Sequence, residues 1–288
     1  MSKWLIDQYH RAKSFADDEQ LWPENYQISG GRITREIIDK LKERPHIRAI
    51  KICGLRQDTF DYFIDRYGQQ FEAIFLWKCP LIGDFSKLAN LVKLKHITFF
   101  WNQRAEKLWD MSGNRSLRSV FLNDFTRLHR LDDLASAPAL EELHFGDAVW
   151  GGFVIETLKP LEHCGNLKLL DFNGKKIIDG DPSPIAALPR LEELKFPCRF
   201  FTTEQIAWLA ARLPGVRSQV LAPLYRTKPI EWPTAKGVKQ KDTFIVGKGK
   251  PFLDSNADRP RVEKYVREFE TLAAYYRANP HEACPSAV

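Results

Sequence analysis

The amino-acid sequence predicts an α/β fold: a curved solenoid with a parallel sheet on its concave side, a mixed helical and irregular convex side, and a cap at each end. Three observations predict it. One apolar pattern recurs along the middle of the chain, its copies are evenly spaced, and helical patterns flank the series. With 288 residues, 44% of them hydrophobic and 28% charged, the chain is long enough to bury a substantial core.

The repeated pattern is apolar-x-x-apolar-x-apolar. It occurs as IRAIKI from Ile47, FEAIFL from Phe71, LKHITF from Leu94, LRSVFL from Leu117, LEELHF from Leu140, LKLLDF from Leu167 and LEELKF from Leu191. The spacings between successive copies are 24, 23, 23, 23, 27 and 24 residues, and a weaker eighth copy starts 25 residues later at Val216. Each unit is too small to close its own core, so the units must stack. We expect their strands to pair in parallel at roughly 4.8 Å.

The unit length and the L-x-x-L-x-L start resemble the leucine-rich repeat. That family places Asn or Cys at the ninth position, and here Cys79 and Asn102 occupy it in two units only. The resemblance therefore implies a solenoid whose turns vary from unit to unit. Secreted adhesins of the internalin type resemble this body too, and the lack of a visible signal peptide argues against that class.

The returning segments and the two ends complete the solenoid. Helical spacing predicts helices over 59–67 and 203–213, whereas 179–184 is too rich in Asp, Pro and Gly and should be extended or turn-like. We divide the chain into an N-terminal cap (1–46), the solenoid of about seven repeats (47–216), and a basic loop with a C-terminal capping helix (217–288). The cap should contain a helix over 34–43 with Thr34 at its start, and Trp4, Leu5, Trp22 and Tyr26 could cover the first unit.

The capping helix at the back is predicted over 260–278. Its apolar residues fall on one helical face, Asp258 suits the N-cap and Pro260 suits the first turn. The residues of that face are Val262, Tyr265, Phe269, Leu272 and Tyr276. Packing on the last repeat is favoured over binding a partner helix.

The composition excludes disorder and a small disulfide-stapled domain. No stretch reaches the ~18 uninterrupted apolar residues of a membrane span. The first twenty residues have neither an apolar core nor a small-residue cleavage site, and the five cysteines include no CxxC pair, which is typical of reduced thiols. We therefore expect a cytoplasmic protein that does not engage a membrane.

The resemblance implies that ligands meet the exposed positions of the concave sheet. Two sets of residues map there. One is aromatic, with a histidine beside it: Phe75, Trp77, His96, Phe100, Trp101 and Phe121. The other is polar and mostly acidic: Glu142, His144, Asp171 and Glu193. Such a face suits an unidentified protein or peptide partner, with the rings giving apolar contact and the polar set giving register. The alternatives are that the ends of the chain cover the rings and that the charges serve solubility.

The net charge of +6 is concentrated between 226 and 250, where 7 residues are basic and 2 are acidic. A short basic run is more often a solvated loop than a binding surface. The alternative function is nucleic-acid or anionic-ligand binding through the lysines of this segment. They are Lys236, Lys239, Lys241, Lys248 and Lys250.

Catalytic and metal-binding patterns are weak. The histidines show no HExxH or zinc spacing, and VGKGKPF (246–252) lacks the spacing of a phosphate-binding loop. His144 and Asp171 should be cross-strand neighbours, which leaves a hydrolase open, but no Ser or Cys nucleophile is evident beside them. The sequence therefore predicts a non-enzymatic binding module without a cofactor or metal.

Overall fold

The computed structural model describes residues 18–22, 31–234 and 237–286, and its strands follow the repeats. The strands are β1 (Asp18–Leu21), β2 (Ala49–Cys53), β3 (Ala73–Trp77), β4 (His96–Asn102), β5 (Ser119–Phe125), β6 (Glu142–Gly146), β7 (Val154–Ile155), β8 (Leu169–Phe172), β9 (Lys176–Ile177), β10 (Glu193–Lys195), β11 (Leu224–Thr234), β12 (Gly237–Ile245) and β13 (Phe252–Leu253). Eight of these form one parallel sheet in the order β1-β2-β3-β4-β5-β6-β8-β10.

The register of this sheet matches the sequence repeat. The third residue of each predicted copy lies beside the third residue of the next copy across every strand pair of the series. These partners are Ala49, Ala73, His96, Ser119, Glu142, Leu169 and Glu193. The predicted solenoid of stacked units, and with it the leucine-rich-repeat fold, is confirmed.

The core lies between the sheet and the convex side. Alternate strand residues point into it, as the pattern predicts, because successive side chains of a strand face opposite sides. Pairs such as Ile50 and Ile52, or Val120 and Leu122, are at most 2% exposed. These strand residues form one continuous core with apolar residues of the returning segments.

The convex side is mixed, as expected. Its α-helices are α1 (Arg35–Ile38), α2 (Gln57–Tyr67), α3 (Ser183–Ala186) and α4 (Thr203–Arg212), and α5 (Arg259–Ala278) lies at the C-terminal end. Short 3₁₀ helices at Asp39–Glu43, Gly68–Gln70, Ser86–Asn90, Asp132–Ser136 and Lys159–His163 complete the returning segments. The helices predicted over 59–67 and 203–213 are confirmed, and the stretch 179–184 is irregular until α3 begins at Ser183.

Side-chain hydrogen bonds fix the turns at the two ninth positions that fit the resemblance. Asn102 is buried, and its Nδ2 donates to the carbonyl of Ile82 at 2.8 Å. Its Oδ1 accepts from the backbone N–H of Ala105 at 2.8 Å. The thiol of Cys79 lies 3.7 Å from the carbonyl oxygen of Ile52. Buried backbone groups of the turn thus find partners, which an apolar side chain could not supply.

At the N-terminal end, α1 begins where the sequence predicts. The Thr34 hydroxyl oxygen accepts the backbone N–H of Ile37 at 3.4 Å. The sequence did not predict β1, which adds a strand beside β2 and buries Leu21. Trp4, Leu5 and Tyr26, suggested as cap residues, lie outside the described residues.

At the C-terminal end, α5 packs against α4, and Val262, Phe269 and Tyr276 on its predicted apolar face are buried. The Tyr276 hydroxyl donates to Glu204 Oε1 at 2.8 Å, and the Trp208 indole N–H donates to the Glu282 carbonyl at 3.1 Å. The helix therefore covers the last unit, as a cap should.

The prediction of a loop between the solenoid and α5 is wrong. The stretch expected to be a basic loop is an antiparallel β11–β12 hairpin, with β13 completing a three-stranded sheet. Pro229 and Pro233 argue against a strand, but both lie in β11, at the edge of this small sheet, where proline is tolerated. No helix in the described part of the chain is both long and apolar enough to cross a bilayer.

Candidate functional site

The aromatic residues expected on an open concave surface are mostly buried. Phe75 is 1% exposed, Trp77 8%, Phe100 4% and Phe121 4%. The expectation of a solvent-facing row of rings is therefore wrong for these four residues. Adjacent parallel strands bring their rings close enough to pack on one another, and each ring removes its neighbours from water.

Three of these rings form a small second core on the concave side. Trp77 stacks on Phe100 with ring centroids 4.3 Å apart and meets Phe75 edge-on at 5.5 Å. The Lys51 ammonium lies 4.3 Å from the Trp77 ring centroid, and Trp22 packs against the same cluster. The cluster thus combines strand residues with the segment that follows β1, so its position supports the fold rather than an open contact surface.

The remaining residues of the aromatic set lie at the margins of that core. Trp101 is partly buried and is the penultimate residue of β4, where its φ is 66°. His96 Nδ1 lies 3.0 Å from the Ser119 hydroxyl oxygen, and that hydroxyl donates to Glu142 Oε2 at 3.0 Å. A polar ladder therefore crosses β4, β5 and β6 on the concave face and includes Glu142 of the predicted polar set.

His144 and Asp171 are neighbours, as the register predicts. His144 Nδ1 lies 3.4 Å from Asp171 Oδ2, and the imidazole stacks on Phe121 with centroids 4.0 Å apart. His144 is 5% exposed. This geometry holds the imidazole in one orientation between a ring and a carboxylate.

Burial makes four of the cysteine thiols poor nucleophiles, so they are not suited to act with His144 and Asp171. Burial raises the pKa of the thiol groups of Cys53 and Cys284 to about 12 and that of Cys164 to about 11, and it also raises the pKa of Cys79. A thiol with such a pKa stays protonated at neutral pH and is a poor nucleophile. Cys198 Sγ lies 3.9 Å from the Tyr225 hydroxyl oxygen.

The last predicted polar residue, Glu193, lies in an open groove. This groove has a volume of about 770 Å³ and lies between β10 and the chain that leads into the hairpin. We call it the β10 groove; its lining residues are Glu193, Leu194, Lys195, Phe196, Arg217, Ser218, Gln219, Val220 and Tyr225. Glu193 pairs with Lys195 and, at 3.3 Å, with Arg217.

The five lysines of the basic segment do not form one surface. Lys236 lies outside the described residues, and Lys239 is described only by its backbone in β12. The Lys241 ammonium lies 4.9 Å from the Trp232 ring centroid. Lys248 and Lys250 line a separate groove of about 740 Å³, and Lys250 Nζ lies 3.1 Å from Glu268 Oε1.

Sequence reasoning missed a third cleft, of about 310 Å³, where the end of β5 meets the loop after β6. We call it the indole cleft; among its lining residues are Trp101, Asp124, Asp147 and Trp150. The signal that could have found it is the 27-residue spacing of that unit, since four residues more than in the preceding units must form an additional loop. Among the described residues no cluster of three or more His, Cys, Asp or Glu side chains is arranged to hold a metal ion.

Comparison with known proteins assigns no function to this chain. No protein-family model matches the sequence, and no curated protein matches it. Among solved structures, an internalin from Listeria monocytogenes aligns with a TM-score of 0.36 and 15% sequence identity. The alignment covers 59% of this chain and only 58% of the internalin chain. The parallel sheet and its register show that this chain has the leucine-rich-repeat fold, in irregular units of 23 to 27 residues.

Proposed function

We propose that this chain is a non-enzymatic, cytoplasmic protein-binding module and that its partner docks in the β10 groove, at the C-terminal end of the concave sheet. The proposal rests on the groove itself. The groove lies along the last strand of the large sheet, whose outer edge makes few backbone hydrogen bonds to the described residues. The aromatic half of the concave face, by contrast, is already buried.

The groove combines an apolar floor with a charged rim. Phe196 and Val220 are each 6% exposed and lie beneath it, with the partly buried Tyr225 at one side. Lys195 and Arg217 are exposed at its rim. An apolar floor gives binding energy through burial, and a charged rim selects the partner by its charges.

The outer edge of β10 is paired over a single bridge in the described part of the chain. β10 is the last strand of the large sheet, and beyond it the described residues contribute only a single bridge between Glu193 and Arg217. In that bridge the Leu194 N–H donates to the Arg217 carbonyl at 3.0 Å, and the Arg217 N–H donates to the Glu192 carbonyl at 2.9 Å. An open sheet edge can accept an extended segment of another protein as an additional strand. We therefore propose that the partner contributes an extended peptide segment.

The residues predicted for contact take different roles in this proposal. Glu193 lies in the groove and sets the register of the partner, and Lys195 beside it continues the row of Asp171 and His144 across β8 and β6. Glu142 and His96 belong to the polar ladder beyond that row. The rigid rings Phe75, Trp77, Phe100 and Phe121 support the curvature of the sheet, while Trp101 belongs to the separate indole cleft.

Photo-cross-linking tests the location. Gln219, an exposed residue of the groove, is replaced by p-benzoylphenylalanine, and the matched control places the same residue at exposed Gln69 on the convex side. In source cells we expect a specific adduct from position 219 and none from position 69. Lys195→Glu should reduce that adduct at least about tenfold because it reverses a rim charge, whereas Lys40→Glu on the convex side should leave it unchanged. Equal adducts from both positions, or an adduct that Lys195→Glu leaves intact, would contradict the proposal.

One observation favours a second candidate function, the binding of nucleic acid or another anionic ligand. The groove lined by Lys248 and Lys250 also contains Lys264 and Arg267 from α5, facing Glu268 and Glu204. Phosphate binding there would weaken steeply as salt increases. A gel-shift titration from low to physiological salt, with Lys248→Glu as the variant and Lys40→Glu as its control, tests this candidate. Absence of binding at low salt would remove it.

A further inference from the structure

The indole cleft begins with an unusual backbone conformation at the ends of consecutive strands. Gly54, Lys78, Trp101 and Asp124 occupy successive units and have φ angles of 75°, 49°, 66° and 55°. Glycine adopts this left-handed region readily and Asp tolerates it, whereas Lys78 and Trp101 are strained there. Strain of this kind persists where the surrounding structure enforces it and is common at binding sites.

The carboxylate of Asp124 is buried with half of its acceptor capacity unused. Asp124 is 4% exposed, and its Oδ1 accepts the backbone N–H groups of Ala148, Val149 and Trp150 at 2.9, 3.1 and 3.3 Å. Its Oδ2 is buried without a hydrogen-bond partner. A buried carboxylate oxygen without a donor is costly, so a ligand that supplies one gains free energy there.

The cleft supplies no cation of its own to that oxygen. Its lining contains no Lys or Arg, and the second acid, Asp147, already accepts the N–H groups of Gly152 and Phe153 through Oδ1 at 3.0 and 2.9 Å. Burial raises the pKa of Asp124, as expected for a desolvated acid without a cationic partner. The unmet requirement of the cleft is therefore a positively charged hydrogen-bond donor.

Two indole rings stand beside the carboxylate. The ring centroids of Trp101 and Trp150 lie 5.2 Å apart with an angle of 37° between the planes, and Trp150 stacks on Phe100 at 6.1 Å. Trp150 is 55% exposed, an unusual position for so large an apolar ring. Indole faces attract cations more strongly than other aromatic faces.

We propose that the indole cleft binds the ammonium group of a lysine side chain presented by a partner protein. The ammonium donates to Asp124 Oδ2 while its methylene stem packs between Trp101 and Trp150, and Trp150 moves aside to admit it. A primary ammonium fits better than a quaternary one because the unpaired oxygen requires an N–H donor. This site does not depend on the β10 groove, which lies three strands away in the order of the sheet.

The test uses Nα-acetyl-lysine N-methylamide as the probe and its Nε-acetylated form as the matched neutral probe. Binding is followed by NMR through the indole N–H resonances, which Trp101→Phe and Trp150→Phe assign. We expect the charged probe to shift the resonances of Trp101 and Trp150 and to leave that of exposed Trp232 unchanged. The acetylated probe should bind at least about tenfold more weakly, since it lacks the charge.

Two variants make the proposal falsifiable. Asp124→Asn keeps an oxygen for the three loop N–H groups and should weaken the charged probe at least about tenfold, whereas Asp110→Asn on the surface should not. Should Asp124→Asn fail to fold, Trp150→Ala, with Trp232→Ala as its control, gives the same comparison at an exposed residue. Equal binding of both probes would overturn the proposal, as would unchanged binding to a folded Asp124→Asn or Trp150→Ala variant. Tighter binding of the Nε-trimethylated probe would overturn the choice of a primary ammonium.

Discussion

The indole rings of Trp101 and Trp150 lie 5.2 Å apart, although Trp101 belongs to β4 and Trp150 follows β6, two places away in the sheet. The contact is possible because the unit that contains Trp150 is 27 residues long, and its additional residues reach back past the end of β5. Asp124, at the end of β5, holds that loop by accepting three of its N–H groups. The cleft is therefore a product of one irregular repeat.

The first prediction compares the loss of stability on removing a buried and an exposed tryptophan side chain. Trp77→Ala should lower the free energy of unfolding by about 3–5 kcal/mol, because it empties the space beside Phe75 and Phe100. Trp150→Ala, the matched exposed control, should cost less than about 1 kcal/mol. Urea denaturation followed by circular dichroism measures both. Similar midpoints for the two variants would show that the concave ring cluster is not a core.

The second prediction concerns the Asn102 turn. Asn102→Ala leaves the N–H of Ala105 and the carbonyl of Ile82 without their partner and should cost about 3 kcal/mol. Asn90→Ala, at an exposed position of a neighbouring turn, should stay within about 0.5 kcal/mol of the parent protein. Thermal and urea denaturation compare the pair. An Asn102→Ala variant as stable as the parent protein would mean that water replaces these hydrogen bonds and that the Asn102 side chain contributes little to stability.

The third prediction concerns Gly146, which starts the loop of the indole cleft. Its φ is 137°, and a Cβ there would lie 2.1 Å from the carbonyl oxygen of Asn173. Gly146→Ala should therefore cost more than about 2 kcal/mol, because the backbone must move. Gly165→Ala is the control, since a Cβ at Gly165 meets no atom within 4 Å. Equal unfolding free energies for the two variants would contradict the close packing of these strands.

The fourth prediction is a pH dependence of stability. Burial raises the pKa of Asp124 above its ordinary value of 3.8, so the folded protein holds a proton that the unfolded chain releases. Between those two pKa values this carboxyl makes the free energy of unfolding fall as pH rises, and its contribution is constant outside that window. The nearby charged group is Asp147, whose negative charge acts in the same direction.

Asp124→Asn removes this contribution, whereas Asp110→Asn does not. Unfolding free energies measured from about pH 3.5 upward should therefore fall less steeply for Asp124→Asn than for the parent protein. Identical slopes for the parent protein and Asp124→Asn would show that Asp124 is solvated in solution.

The sequence predicts the solenoid well because its strands carry their pattern directly. An apolar residue at every second strand position, repeated each unit, leaves one stacking register that buries them all, and Ile50, Ile74 and Ile97 occupy neighbouring places in it. The same logic places His144 beside Asp171. These predictions need only local periodicity and the parallel pairing of units.

The environment of the concave side is not local information. Whether the Trp77 side chain is exposed to solvent depends on its cross-strand neighbours and on Trp22, which comes from a distant segment of the chain. The charge count of the segment 226–250 could not predict the hairpin, because it carries no information on how apolar and polar residues alternate along a strand. The prolines, which argue against a strand, lie on an edge strand. Asp124 belongs to no motif, and its role depends on a loop more than twenty residues away.

The central claim, that a partner docks in the β10 groove, is tested most directly by amide hydrogen exchange of the full chain with and without the partner captured through position 219. We predict slower exchange over 193–196 and 217–220, with residues 230–232 of β11 and the loop 147–153 unchanged. Protection confined to the hairpin or to that loop, with the β10 groove exchanging as in the free protein, would contradict the account.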